Sequence, residues 1–221
     1  MVFKLVKVPQ EALLGNINFD NWDGKSLLYP VNAHFKVWIA PLSKPVLFQK
    51  GKAIEAQSVD NAMPIVDVNV AKGGGAKPGF RLYDIPMKEN ALSVAVWFKT
   101  NEKNGKLFGK EGYNAFGKSY KTFSCAVNNG KLVANPGKIS GGAIVPDEWQ
   151  YVVLTANENQ MDLYLNGEKV ASGLGTKDLI TDAFDFFTGH HAIVKGVQMF
   201  NKLLLDDEVK RLYKAATENT K

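Results

Sequence analysis

Carboxylates two residues apart on one strand share a face, where one can act as an acid and the other as a nucleophile. The sequence contains no Glu-x-Asp-x-Glu run of this kind. Its nearest approach, Asp182 and Asp185, has the wrong spacing and sits in an aromatic stretch, while Asp147 and Glu148 are adjacent and diverge. The histidines are His34, His190 and His191; no Cys or carboxylate lies at ligand spacing around the pair, and neighbouring residues on a strand point apart. They are expected as a loop pair at a strand entrance. "NFDNWDGK" (18–25) approaches a calcium loop, but with Gly24 as the turn glycine, Phe19 occupies the first ligand position, so it is expected to be a turn. Ser119 and Ser124 lack a Ser-His-Asp order. Cys125, the single cysteine, lies in the alternating run "TFSCAV" and is expected to be a buried, inert thiol. The chain is therefore expected to be non-catalytic, with no metal and no cofactor.

What remains is binding chemistry. "KLFGKEGYNAFGKSYK" (106–121) offers Tyr113, Asn114 and Tyr120 among glycines, with Lys106, Lys110, Lys118 and Lys121 around them. Aromatic faces with amide hydrogen bonds suit a sugar ring, and the lysines suit an anionic one. Phe108 and Phe116 are expected to plug the core. Trp22, isolated among polar turn residues, is a second candidate contact. Trp38 alternates with Val37 and Ile39, and an exposed indole there would mark an interface.

Such a site needs rigid elements beneath it. Alternating or β-rich runs include 92–99, 122–127, 131–134, 151–155, 161–165 and 192–200, separated by turn chemistry such as "VNNGK" and "LNGE". Asn-Gly at 129–130 and 166–167 supplies the positive φ angles of tight hairpins. In "WQYVVLTANENQMDLYLNGEKV", Tyr151, Val153 and Thr155 point one way and Val152 and Leu154 the other. Leu163 and Leu165 share a face opposite Asp162 and Tyr164. One segment departs from this period: "LLLDDEVKRLYKAA" sets Val209, Leu212, Tyr213 and Ala216 on one helical face, with Asp206, Asp207 and Glu208 where a helix dipole favours negative charge. The fold class expected is all-β, an antiparallel β-sandwich jelly roll with a short C-terminal helix.

In order, "LSVAVWFKT", "KLFGKEGY", "FSCAVNNGKLV", "DEWQYVVLT" followed by "MDLYLNGEKVASG", and "GVQMFNKLLLDDEVKRLY" resemble the laminin-G-like, concanavalin A-like jelly-roll family. The resemblance implies an inward tryptophan at Trp97 and a structural Trp149. It divides the chain into a strand-rich N-terminal arm (1–50), a docking or assembly segment, and a jelly-roll domain (51–221). Family members often bind calcium near the penultimate strand, after a glycine and paired acids. Here "TGHHAIVKGVQMF" carries Lys195 and Gly196 instead, so no metal site carries over.

The net charge of +5 comes almost wholly from lysine, with Arg81 and Arg211 the only arginines. Phosphate recognition favours Arg forks, so no nucleic-acid partner is expected. No apolar run approaches a membrane span, and Lys interrupts the N-terminal apolar residues, so neither a membrane segment nor a signal peptide is read. The expected partner is a glycan or surface polymer, including an anionic one. The competing expectation is a virion structural component, a phage decoration or fibre protein, whose N-terminal arm contacts other subunits. Both place the chain outside a cell or on a virion surface.

Overall fold

The computed structural model describes residues 12–17, 27–28, 35–39, 66–68, 80–110, 123–181, 183–187 and 190–218. Two antiparallel sheets form the framework. The first, of seven strands, runs β1 (Leu13–Ile17), β15 (Ala192–Phe200), β6 (Leu92–Lys99), β11 (Gln150–Ala156), β12 (Gln160–Leu165) and β13 (Glu168–Leu174), with β4 (Val66–Val68) also on β15. The second has eight: β10 (Ile139–Ala143), β9 (Lys131–Asn135), β8 (Ser124–Asn128), β7 (Gly105–Gly109), β14 (Ala183–Phe186), β5 (Phe80–Tyr83), β3 (Lys36–Ile39) and β2 (Leu27–Leu28).

Period-two burial sets what lies between them. From the first sheet Val94, Val96, Phe98, Val152, Leu154 and Leu163 point inward; from the second come Leu82, Phe108, Cys125, Leu132, Phe184 and Phe186. The β11–β12 register pairs Val152 with Leu165 and Leu154 with Leu163, as the alternation requires. Phe80 stacks on Phe186 with ring centroids 4.8 Å apart. Cys125 is completely buried in this layer, and burial pushes its thiol pKa well up, so no thiolate forms there. Both expected hairpin turns form, with φ of 50° and 75° at Asn129–Gly130 and 51° and 84° at Asn166–Gly167.

The helix α1 (Asp206–Glu218) adds a third layer on the outer face of the first sheet. Its start is fixed by Glu208, whose carboxylate accepts from the Leu205 amide at 2.9 Å and from Lys202 Nζ at 2.7 Å. Val209 and Leu212 are buried, and Tyr213 and Ala216 pack beside them. Beneath lie Ala95, Trp97, Tyr151, Val153, Tyr164 and Phe200. Ser93 and Thr155 on this face are partnered: Ser93 donates to Thr155 Oγ1 at 2.8 Å, and the Leu204 amide donates to both hydroxyls at 3.0 Å.

This layer corrects the expectation for Trp97. The indole does not point between the sheets. It shares parity with Ser93 and Ala95, opposite Val94, Val96 and Phe98, and packs against Tyr151 and Tyr213 at centroid distances of 5.4 and 5.9 Å. Trp149 flanks the same outer cluster. Both indoles are structural, but they bind helix to sheet rather than sheet to sheet.

Segment 1–50, expected to form an arm, supplies three described strands to the sandwich: β1 pairs with β15, and β3 lies between β5 and β2. Strands β1 and β2 end up at sheet edges.

Candidate functional site

With α1 covering the first sheet, the outer face of the second is the contrasting surface. Directly paired residues on neighbouring strands share a face. One such row crosses six strands: Trp38 pairs with Arg81, Arg81 with Asp185, Asp185 with Gly109, Gly109 with Ser124, and Ser124 with Asn135. Its neighbours along each strand, Val37, Leu82, Phe184, Phe186, Phe108, Cys125 and Ala134, are the buried ones, so parity places Arg81, Asp185, Gly109, Ser124 and Asn135 on the outer face.

The middle of the row is rigid. Arg81 donates from Nε to Asp185 Oδ1 and from Nη2 to Oδ2 at 2.6 Å, a bidentate fork between residues distant in sequence. The hydrogen bond and charge of Asp185 raise the guanidinium pKa above its already high value. The guanidinium lies 5.8 Å from the centre of the Tyr83 ring, which is 37% exposed. Gly109 is flanked closely: a Cβ there would sit 2.7 Å from Ser124 Cβ and 2.9 Å from Lys106 Cε, so the Lys106 stem crosses the gap the glycine leaves. Fixed donors and acceptors, one open ring and a lysine thus share a platform. Chemically it can hydrogen-bond and stack a polar ring. Asp185, the one carboxylate of the row, is engaged by Arg81.

The candidate contacts Tyr113, Asn114, Tyr120 and Trp22 lie outside the described residues, as do Lys118, Lys121, Phe116, Ser119, His34, Asp182 and the side chain of Trp38. In sequence, the segment 111–122 that includes the two tyrosines falls between the end of β7 at Gly109 and the start of β8 at Ser124, two members of the row. Lys110, just before it, bonds to Asp178 and to the Ile180 carbonyl at 2.8 Å. Phe108 plugs the core as expected.

The Arg81–Asp185 pair was missed by the sequence reading. The signal was present: an aspartate between Phe184 and Phe186 must face away from whatever buries them.

The remaining chemical candidates disperse. His190 is fully buried beside Phe187, while His191 is only partly buried at the entrance to β15. Asp147 occupies a turn at φ 58°. Among the described residues no group of three or more His, Cys, Asp or Glu converges as a metal site. Where the family resemblance directs attention for calcium, Lys195 supplies an ammonium, and the residues present do not fit that ion. No helix of the described residues is long and apolar enough to cross a membrane.

Solved structures share the architecture. A sialidase of Trypanosoma rangeli superposes with a TM-score of 0.67 at 15% identity, over 96% of this chain and 34% of that one. The binding domain of botulinum neurotoxin serotype D superposes at 0.61 with 13% identity, over 93% of this chain and 51% of that one. The chain thus spans about a third of the sialidase and half of the toxin domain; at these identities the likeness is one of fold. No curated protein matches the sequence. The family model described as the concanavalin A-like lectin/glucanases superfamily matches residues 73–216. The chain belongs to that superfamily.

Proposed function

We propose that this chain is a non-catalytic recognition module that binds a glycan or glycan-like surface polymer across the outer face of the second sheet. The observation that carries the reading is the row from Arg81 through Asp185 and Gly109 to Ser124. Rigid scaffolds bearing a few fixed polar groups and an open ring suit sugars, whose hydroxyls need directed partners and whose apolar faces stack. The structural neighbours lend support: one is a sialidase and another a toxin binding domain. A single carboxylate, already held by arginine, suits recognition better than the glycoside hydrolysis of most families, in which two carboxylates cooperate. The ligand class includes an anionic glycan, and the proposed location is extracellular or on a virion.

The test is a glycan array probed with the wild-type chain, Tyr83→Ala, Arg81→Lys and the Tyr113→Ala/Tyr120→Ala pair. Arg81→Lys keeps the charge but loses the fork, and is expected to weaken binding about tenfold, close to 1.4 kcal/mol. No glycan bound by wild type, or equal binding by all four proteins, would remove the proposal.

A virion assembly role is favoured by one feature, the edge position of β1 and β2 among the described strands, since an edge strand can template pairing with another subunit. Light scattering behind size exclusion separates the readings: a stable oligomer supports assembly, a monomer supports the recognition module.

A further inference from the structure

On the opposite face of the sandwich, Lys195 is only 6% exposed, yet among the described residues its ammonium has no carboxylate or carbonyl partner. Three other part-buried lysines are supplied with one: Lys110 reaches Asp178, Lys169 reaches Asp162 and Asp206, and Lys202 reaches Glu208. Lys195 instead lies over two indoles, 5.9 Å from the Trp97 ring centre and 6.0 Å from that of Trp149. Lys99 approaches Trp149 as well, at 5.8 Å. The Trp97 Nε1 is buried in the same cluster without a hydrogen-bond acceptor.

Cation–π contact replaces only part of the hydration an ammonium loses on burial. Burial accordingly holds the Lys195 pKa below that of an ordinary lysine. The cluster thus combines a desolvated cation, an unsatisfied N–H, a second lysine and the half-buried Trp149 ring, with no anion among the described residues. Its missing component is an oxyanion.

We propose that Lys195, set between Trp97 and Trp149 with Lys99 alongside, is an oxyanion subsite that takes the carboxylate or sulfate of an acidic sugar stacked on Trp149. The sugar part rests on the glycan reading above; the oxyanion part does not. The site lies on the face that carries α1, away from Arg81, so the two stand or fall separately.

The experiment follows tryptophan fluorescence during titration with sodium sulfate, sodium glucuronate and glucose, at ionic strength held constant with chloride. Sulfate and glucuronate are expected to give saturable changes and glucose none. Lys195→Met, which keeps an unbranched apolar stem in the buried position, is expected to weaken both at least tenfold; Lys99→Met is expected to weaken them several-fold. Tighter binding of glucuronate than of sulfate identifies an acidic sugar, and equal affinity identifies a free oxyanion. Arg81→Lys is expected to leave these titrations unchanged even where it abolishes array binding. Should Lys195→Met not fold, wild type carrying 13C-methylated lysines provides the second readout: sulfate must raise the pKa of the Lys195 resonance. No saturable response to either anion, a wild-type response in folded Lys195→Met, or an unmoved Lys195 resonance overturns the proposal.

Discussion

Replacing Leu163 by alanine tests whether the β11–β12 hairpin is architecture. Leu163 is fully buried, pairs with Leu154 on one side and Ala171 on the other, and belongs to the layer between the sheets. The substitution deletes three carbons, about 2.4 kcal/mol of transfer free energy at roughly 0.8 kcal/mol each. A wall of β-strands collapses poorly around the space left, so a cavity contribution brings the expected loss to about 3 kcal/mol, within the usual range of roughly 2–5 for such changes. For a chain of this size that lowers Tm by roughly 6–12 °C. Leu174→Ala, at a position 80% exposed, is the control and is expected to shift Tm by less than about 2 °C. The assay is urea unfolding with matched m-values, run beside glycan-array binding of the folded fraction. A loss of stability with affinity retained supports the account. A Leu163→Ala protein as stable as wild type, or one that keeps its stability and loses binding, refutes it.

Further expectations concern the two ends of the first sheet. His190 is completely buried, with Nδ1 3.7 Å from Glu102 Oε2, and burial lowers its pKa below 6.5, the Glu102 charge opposing in part. The unfolded chain therefore takes up this proton first, so stability present above about pH 6.5 declines as pH falls through that value toward the folded pKa. Urea midpoints between about pH 7.5 and 5 are expected to fall in wild type and to fall less in His190→Leu; parallel curves would contradict this. Gly105→Ala would place its Cβ 1.8 Å from His190 Nδ1, and overpacking is expected to cost about 1–3 kcal/mol in thermal melts. Thr155→Val removes the hydroxyl that accepts from the Leu204 amide and Ser93, and is expected to cost about 1–2 kcal/mol.

Much of the scaffold was legible because strand parity is local. Val152 and Leu154 against Tyr151 and Val153, the two Asn-Gly turns and the Val209–Ala216 face each follow from neighbouring residues alone. Trp97 was misplaced for an equally physical reason. Both faces of β6 are buried, one by the second sheet and one by α1, so hydrophobicity could not distinguish inward from outward. The platform was harder still. Arg81 and Asp185 meet only because β5 and β14 pair across 104 residues, and the Lys195 cluster joins β15, β6 and the residue preceding β11. Such sites are made by topology, which periodicity does not encode.

The central claim is that recognition occupies the outer face of the second sheet. Amide chemical-shift mapping, with an array-positive glycan titrated into 15N-labelled protein, addresses it directly. The account predicts shifts concentrated at Arg81, Tyr83, Gly109, Ser124 and Asp185. Shifts confined to α1 and the strands beneath it would contradict the claim.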